Sequence, residues 1–136
     1  MMENEKLLRV TAAIIKKDNK IFIARRAQHK HLAGFWEFPG GKIENNETPE
    51  VCLKRELIEE LGITVTVGKL FMENQHDYGD KIIMLMAYLC ELISGDISLK
   101  DHDKFAWVEK TELTNFKFAP ADIPFVNALH AEQEVQ

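Results

Sequence analysis

The sequence predicts a mixed β-sheet covered on its faces by helices, an α+β or α/β sandwich. Three observations carry this expectation. Short segments rich in β-branched and large apolar residues recur along the chain. Two helical segments, Thr48–Leu61 and one built on Phe125, Val126 and Leu129, are interspersed with them. One strand candidate, Ile82–Cys90, is apolar throughout, as a strand covered on both faces must be. With 136 residues and neither an internal repeat nor a Pro/Ser-rich linker, the chain reads as one domain over 1–136.

The elements follow in order. Leu7–Ile15 reads as a strand, Lys17-Asp18-Asn19-Lys20 as a turn and Ile21–Ala24 as the returning strand of a hairpin. The basic stretch Arg25–Leu32, with His29 and His31, reads as a loop. Phe35–Ile43 contains Trp36, Phe38, Pro39, Gly40 and Gly41 and suits an irregular strand making close backbone contacts. Thr48 can cap the first helix, Pro49 suits its first position and Gly62 its left-handed stop. Its expected apolar face holds Val51, Leu57, Ile58 and Leu61. Ile63–Val67 and Phe105–Val108 are further strands, and Ser94-Gly95-Asp96 is a turn.

Composition narrows the classes. Lys and Arg number 17 against 22 Asp and Glu, a net charge of −5, which argues against a general nucleic-acid or membrane surface. No apolar run reaches the ~20 residues that span a bilayer, and the amino terminus shows no export signal. Cys52 and Cys90 lie far apart without metal-type spacing and read as small buried hydrophobes. The expectation is a cytoplasmic protein, monomer or homodimer, whose partner is a small molecule.

Glu56, Glu59 and Glu60 lie at i, i+3 and i+4 on the first helix and are expected on one flank away from its apolar face. Like charges at these spacings repel by a few tenths of a kcal/mol per pair, so a solvated acidic face paired with Lys54 and Arg55 is one reading. A divalent cation would reverse the sign, and oxygen-rich sites suit Mg²⁺ and Mn²⁺. The flanks discriminate. Gly41, Glu47, Arg55, Glu56, Leu57, Glu59, Glu60, Gly62 and Ile63 spell G-x5-E-x7-R-E-U-x-E-E-x-G-U, with U a bulky aliphatic. This resembles the signature of the Nudix hydrolase family at all nine positions, which implies the Nudix fold, an α/β/α sandwich.

The likeness runs from about Val10 to Leu129 and is to the MutT branch, the pyrophosphohydrolases that sanitise nucleotide pools. Ala24-Arg25-Arg26, Trp36–Lys42 and Ala119–Pro124 carry it. The last of these, with Leu32–Phe38, is especially similar to the CTP pyrophosphohydrolase subgroup. The resemblance implies metal-dependent hydrolysis of a nucleoside triphosphate to monophosphate and pyrophosphate, with Mg²⁺ or Mn²⁺ held by Glu59, Glu60 and the Gly41 carbonyl. Glu56 would be a metal-associated carboxylate or the group that activates water. Glu47 and Arg55 would brace the loop as an ion pair. Asp101 stands where the branch places a further metal-binding Glu, and His102 beside it reads as a surface residue. Arg26 and Lys42 match basic positions for phosphate contacts, while Glu37 and Phe38 border the base or ribose, or else are a surface charge and a core side chain.

Asp122 reads either as the cap of the closing helix or as the residue that reads the base. An ionised Asp only accepts, which favours 8-oxo-dGTP slightly; CTP or dCTP is the alternative. An inactive Nudix-like ligand-sensing module is the alternative of another class. Such modules lose box carboxylates, and here all are present.

Overall fold

Six strands, β1 (Leu7–Lys17), β2 (Lys20–Arg26), β3 (Trp36–Glu37), β4 (Thr64–Asp77), β5 (Ile82–Ser94) and β6 (His102–Val108), form a mixed sheet with helices α1 (Pro49–Leu61) and α2 (Ile123–Val135). The computed structural model describes residues 7–135. Residues 1–6, with which the amino-terminal segment read for an export signal begins, lie outside the described residues.

The sheet is organised by a hairpin that opens like a fork. Asp18 and Asn19 both adopt positive φ, 54° and 66°, the two-residue turn whose twist suits paired strands. β1 and β2 pair only beside that turn, Lys16 opposite Ile21 and Lys17 opposite Lys20, and then part. β1 runs parallel to β5 from Leu7 opposite Ile82 to Lys16 opposite Glu91, and β4 closes that side. β2 pairs antiparallel with β6 along its other edge. The chain from 36 to 43 fills the fork. It enters as β3, opposite Ala24 and Arg25 of β2. It then crosses to β1, where Ala13 N–H donates to Pro39 O at 2.7 Å, Thr11 N–H to Gly41 O at 2.8 Å and Ile43 N–H to Arg9 O at 2.9 Å.

Alternation along β1 and β2 feeds two cores. Ala12, Ile14, Ile21 and Ile23 pack with Phe125, Val126 and Leu129 of α2. Ala13, Ile15, Phe22 and Ala24 pack with Leu53, Leu57 and Leu61 of α1. The expected sandwich is therefore present, with one helix on each face. Cys52 and Cys90 are free and buried, as expected. Among the described residues, no helix is long and apolar enough to cross a membrane.

The structure corrects several local expectations. Arg25 and Arg26 belong to β2, and only Trp36–Glu37 of the Phe35–Ile43 stretch is strand. β4 is 14 residues long; irregularities between Val67 and Met72 break the alternation that would have revealed its second half. No turn forms at Ser94-Gly95-Asp96. An irregular strap follows β5 and returns to α1, with Ser98 N–H donating to Leu61 O at 3.0 Å.

Helix α1 begins and ends as its sequence predicts. Thr48 Oγ1 accepts from Val51 N–H at 3.2 Å, and Gly62 has φ 71°. Its buried face differs. Val51 and Ile58 are 54% and 55% exposed, and Cys52 and Leu53 join Leu57 and Leu61 inside. At about 100° per residue, Glu56 and Glu60 then fall about 40° and about 80° around from Cys52, between it and Leu53. The two glutamates therefore point toward the sheet, not away from it.

This packing predicts a contrast within one turn. Leu57→Ala should lower the free energy of urea unfolding by ~2–5 kcal/mol. Ile58→Ala, one residue on, should change it by less than ~0.5 kcal/mol.

Candidate active site

The loop that fills the fork delivers two glycines to the start of the site. A Cβ on Gly40 would collide with the Thr11 carbonyl, and one on Gly41 with the Glu56 carboxylate. Backbone and carboxylate approach so closely that no larger residue fits. The Gly41 oxygen accepts from Thr11 N–H at 2.8 Å and Thr11 Oγ1–H at 3.1 Å, so strand β1 already engages it.

The three helix glutamates are not equivalent. Glu56 and Glu60 are half-buried, whereas Glu59 is exposed. The Glu60 carboxyl is pushed up to about 8, first by burial, then by contact with Glu56 and by the charges of Glu56, Asp101 and Glu37. Arg55 holds the others. Its Nε donates to Glu47 Oε2 at 2.6 Å and Nη2 to Glu47 Oε1 at 3.0 Å, a bidentate pair. Nη1 reaches Glu56 Oε2 at 3.1 Å and Glu59 Oε1 at 3.2 Å, and Nη2 reaches Lys42 O at 3.4 Å. One guanidinium thus joins loop to helix. Chiefly through that pairing, the Glu47 carboxyl is lowered to about 2.

Glu60 lines a cleft of about 340 Å³ with Arg26, Lys30, Glu37, Gly40, Gly41, Lys42, Asp101, His102 and Asp122. Most of the residues singled out in the sequence therefore meet in one place. A wider opening of about 850 Å³ lies beyond Lys42, between Leu7–Arg9 and the loop to Glu47, and lacks the helix carboxylates. In the smaller cleft, Arg26 Nη1 donates to Glu37 Oε1 at 3.0 Å, and Glu37 Oε2 meets His102 Nε2 at 2.8 Å. Asp101 lies 4.0 Å from both Lys30 Nζ and His29 Nε2.

One side chain sits where the sequence did not place it, and a second takes one of the two places that the sequence left open. His102, read as a surface residue, is 5% exposed, because it opens β6 directly opposite Arg26 and turns its ring onto Glu37. Asp122 is equally buried, and its Oδ2 accepts from Phe38 N–H at 3.0 Å across the fold. That bond carries it into the cleft. Burial first, then the charge of Glu37, raises its carboxyl well above the usual range. The Phe38 ring lies in the core against Phe118, centroids 5.2 Å apart, so its backbone rather than its ring faces the cleft.

A profile of the NUDIX domain matches residues 10–128. The chain belongs to the Nudix family. A CTP pyrophosphohydrolase of Escherichia coli (strain K12) is 40% identical over 126 residues, 93% of each chain. An 8-oxo-dGTP diphosphatase of the same organism is 39% identical over 125 residues, 91% of this chain and 97% of that one. Among solved structures, the E. coli ORF135 protein superposes with a TM-score of 0.82 at 38% identity, over 96% of this chain and 94% of that chain.

Around the Nudix box, the structure adds residues that sequence reading missed. Asn74 Nδ2 donates to Ala121 O at 2.9 Å, and Tyr78 Oη accepts from Ala121 N–H at 3.1 Å. Both peptide groups flanking Asp122 on its amino-terminal side are thereby held from outside the Nudix helix. The residues lie 47 and 43 positions away in sequence, a separation that no local pattern reports.

The Glu47–Arg55 pair makes stability depend on acid. Glu47 has a folded value of about 2 against an ordinary 4.5. Its contribution is thus present above about pH 4.5 and lost as pH falls toward about 2. Glu47→Gln should melt below the unmodified protein near neutrality. The gap in melting temperature should narrow below about pH 4.5 and close near pH 2.

Proposed function

We propose that the chain hydrolyses a nucleoside triphosphate to the monophosphate and pyrophosphate in this cleft, with 8-oxo-dGTP as the substrate. The observation that carries the reading is the pair Glu56 and Glu60, half-buried side by side under a cleft whose walls bear Arg26, Lys30 and Lys42. Divalent-metal dependence is general among Nudix hydrolases.

The donor set fits such an ion. Two crowded carboxylates, one driven toward its neutral form by burial and then by the other, are what a cation's charge would relieve. Among the described residues no three His, Cys, Asp or Glu side chains form a ready metal cage. This suits Mg²⁺ or Mn²⁺, since Mg²⁺ usually takes one or two carboxylates and completes its shell with water and substrate phosphates. Glu56 and Glu60 would hold it. Glu59 would join on leaving Arg55, the Gly41 carbonyl on releasing Thr11 Oγ1, and Asp101 through water. Bound there, the metal supplies Lewis acidity toward phosphate oxygens and lowers the pKa of water.

The protein's own groups do the rest. Arg26, Lys30 and Lys42 offset charge along the triphosphate, with Arg26 held in place by Glu37. Glu56 is placed to accept a proton from the attacking water, because Gly41 and Arg55 fix its carboxylate. Asp122 reads the base. Burial first, then the charge of Glu37, favours its neutral form, in which Oδ1 carries a proton that it can donate to a carbonyl such as O6 of 8-oxoguanine while Oδ2 stays on Phe38 N–H.

The same observation favours a second reading. The neutral form of Asp122 that burial favours lacks the repulsion that an ionised one would exert on cytosine N3, and the CTP pyrophosphohydrolase relative is 40% identical. The ratio of kcat/KM for 8-oxo-dGTP to that for CTP decides between the two substrates. It should exceed one, and a value well below one establishes the cytidine reading.

Glu60→Gln should reduce kcat by at least about a hundredfold with Mg²⁺ present, the scale of a lost metal ligand. Its melting temperature without metal should not fall. Near pH 7 the metal-free Glu60 is already largely neutral, which the amide reproduces. Full activity would overturn the metal assignment. Hydrolysis in ¹⁸O-water should label pyrophosphate, as attack at the β-phosphorus requires; label confined to the monophosphate would overturn that regiochemistry.

A further inference from the structure

Three neighbouring strands each contribute one side chain to a single hydrogen-bonded chain. Glu37 of β3 stands opposite Ala24 of β2, Arg26 lies two residues further along β2, and His102 of β6 stands opposite Arg26. The β2–β6 register shifts between Arg25 and Arg26, and this irregularity sets His102, rather than Asp103, opposite Arg26. Glu37 receives Arg26 on Oε1 at 3.0 Å and His102 Nε2 on Oε2 at 2.8 Å. Both carboxylate oxygens are therefore fixed, and with them the plane of the carboxylate.

His102 is a costly residue for this position unless that bond matters. The ring is buried, and its Nδ1 has no partner. An orphaned polar atom in the interior costs free energy that an apolar side chain of similar size would avoid. The bond to Glu37 is the contact that an apolar residue could not replace. Because Glu37 accepts, His102 Nε2 must carry the hydrogen. On the other side of Glu37, two Arg26 nitrogens are held, Nε by His31 O and Nη1 by Glu37. Among the described residues, Nη2 has no protein partner.

We infer that His102 is a positioning residue for substrate binding: it locks Glu37, and Glu37 aims the remaining Arg26 nitrogen at the triphosphate. The inference rests on the reading of Arg26 as a phosphate contact. His102 itself touches no phosphate. Its removal lets Glu37 turn about its own side-chain bonds and take the Arg26 fork with it, so the loss falls on binding common to every triphosphate.

The test is steady-state kinetics with Mg²⁺ on 8-oxo-dGTP and CTP in parallel. His102→Leu should raise KM about tenfold for both nucleotides and leave kcat within about threefold, the pattern of a lost ground-state contact. His102→Gln, whose amide nitrogen reaches the place of Nε2, should hold KM within about threefold of the unmodified protein. If the leucine variant does not fold, His102→Asn, whose amide is too short to reach Glu37, should show the same rise in KM. In an Arg26→Ala background, His102→Leu (or His102→Asn) should shift KM by less than about twofold. An unchanged KM for Arg26→Ala alone would overturn the phosphate reading and the inference with it. A raised KM for Arg26→Ala with an unchanged KM for His102→Leu would overturn only the inference, as would equal losses in His102→Leu and His102→Gln.

Discussion

At Gly40 and Gly41 the backbone passes so close to the Thr11 carbonyl of β1 and the Glu56 carboxylate of α1 that there is no room for a Cβ as they stand. Much else depends on that closeness. β1 and β2 can part only because the chain from 36 to 43 replaces the hydrogen bonds they give up, taking Ala24 and Arg25 on one side and Arg9, Thr11 and Ala13 on the other. A side chain at Gly40 would push that chain off β1 and leave those groups unpaired. A side chain at Gly41 would push the Glu56 carboxylate from its place beside the loop. The wedge that completes the sheet is thus also what sets that carboxylate at the mouth of the fork.

Holding several carboxylates together without collapse or splaying requires a cation fixed in the fold, and Arg55 is that cation. Its chelation of Glu47 costs little, since both groups keep some solvent and the geometry is bidentate. The remaining N–H groups then reach Glu56 and Glu59 and leave Glu60 outside the network. The asymmetry matters. Glu60 is the carboxylate whose charge is least compensated, and so the one whose protonation is most displaced. A site that is satisfied at one end and electrostatically incomplete at the other is suited to a ligand that brings positive charge.

The box was legible because its chemistry depends on local spacing: one helix, one cap, one left-handed stop and one loop of fixed length carry it. The sandwich was legible for a related reason, since alternation and helical period are local signals. What the sequence hid was non-local. The true face of α1 turned on whether Val51 and Ile58 or Cys52 and Leu53 met the sheet, and both sets are apolar, so composition alone could not rank them. His102 lies between two aspartates, Asp101 and Asp103, and read as solvated. Only the β2–β6 register, with its irregularity at Arg25 and Arg26, carries it inside. Asp122 could have capped α2 by every local rule, and it is the Phe38 N–H, 84 residues away, that claims it.

The two unusual carboxyls of the cleft share a neighbour. Glu37 lies between them, and its negative charge helps to raise both Glu60 and Asp122. Its own charge is held in place by Arg26 and His102, so it acts as a fixed anion that no binding event need rearrange. At the metal end that anion adds to the deficit a divalent cation would fill. At the other end it adds to burial in favouring the protonated form of Asp122, which can donate as an ionised aspartate cannot. Replacing Glu37 by a neutral residue would therefore reach beyond Arg26. It would lower the tendency of Asp122 to hold its proton, while easing the crowding of charge at Glu60. One half-buried charge thus couples the proton affinities of two carboxyls in the cleft, with no moving part between them.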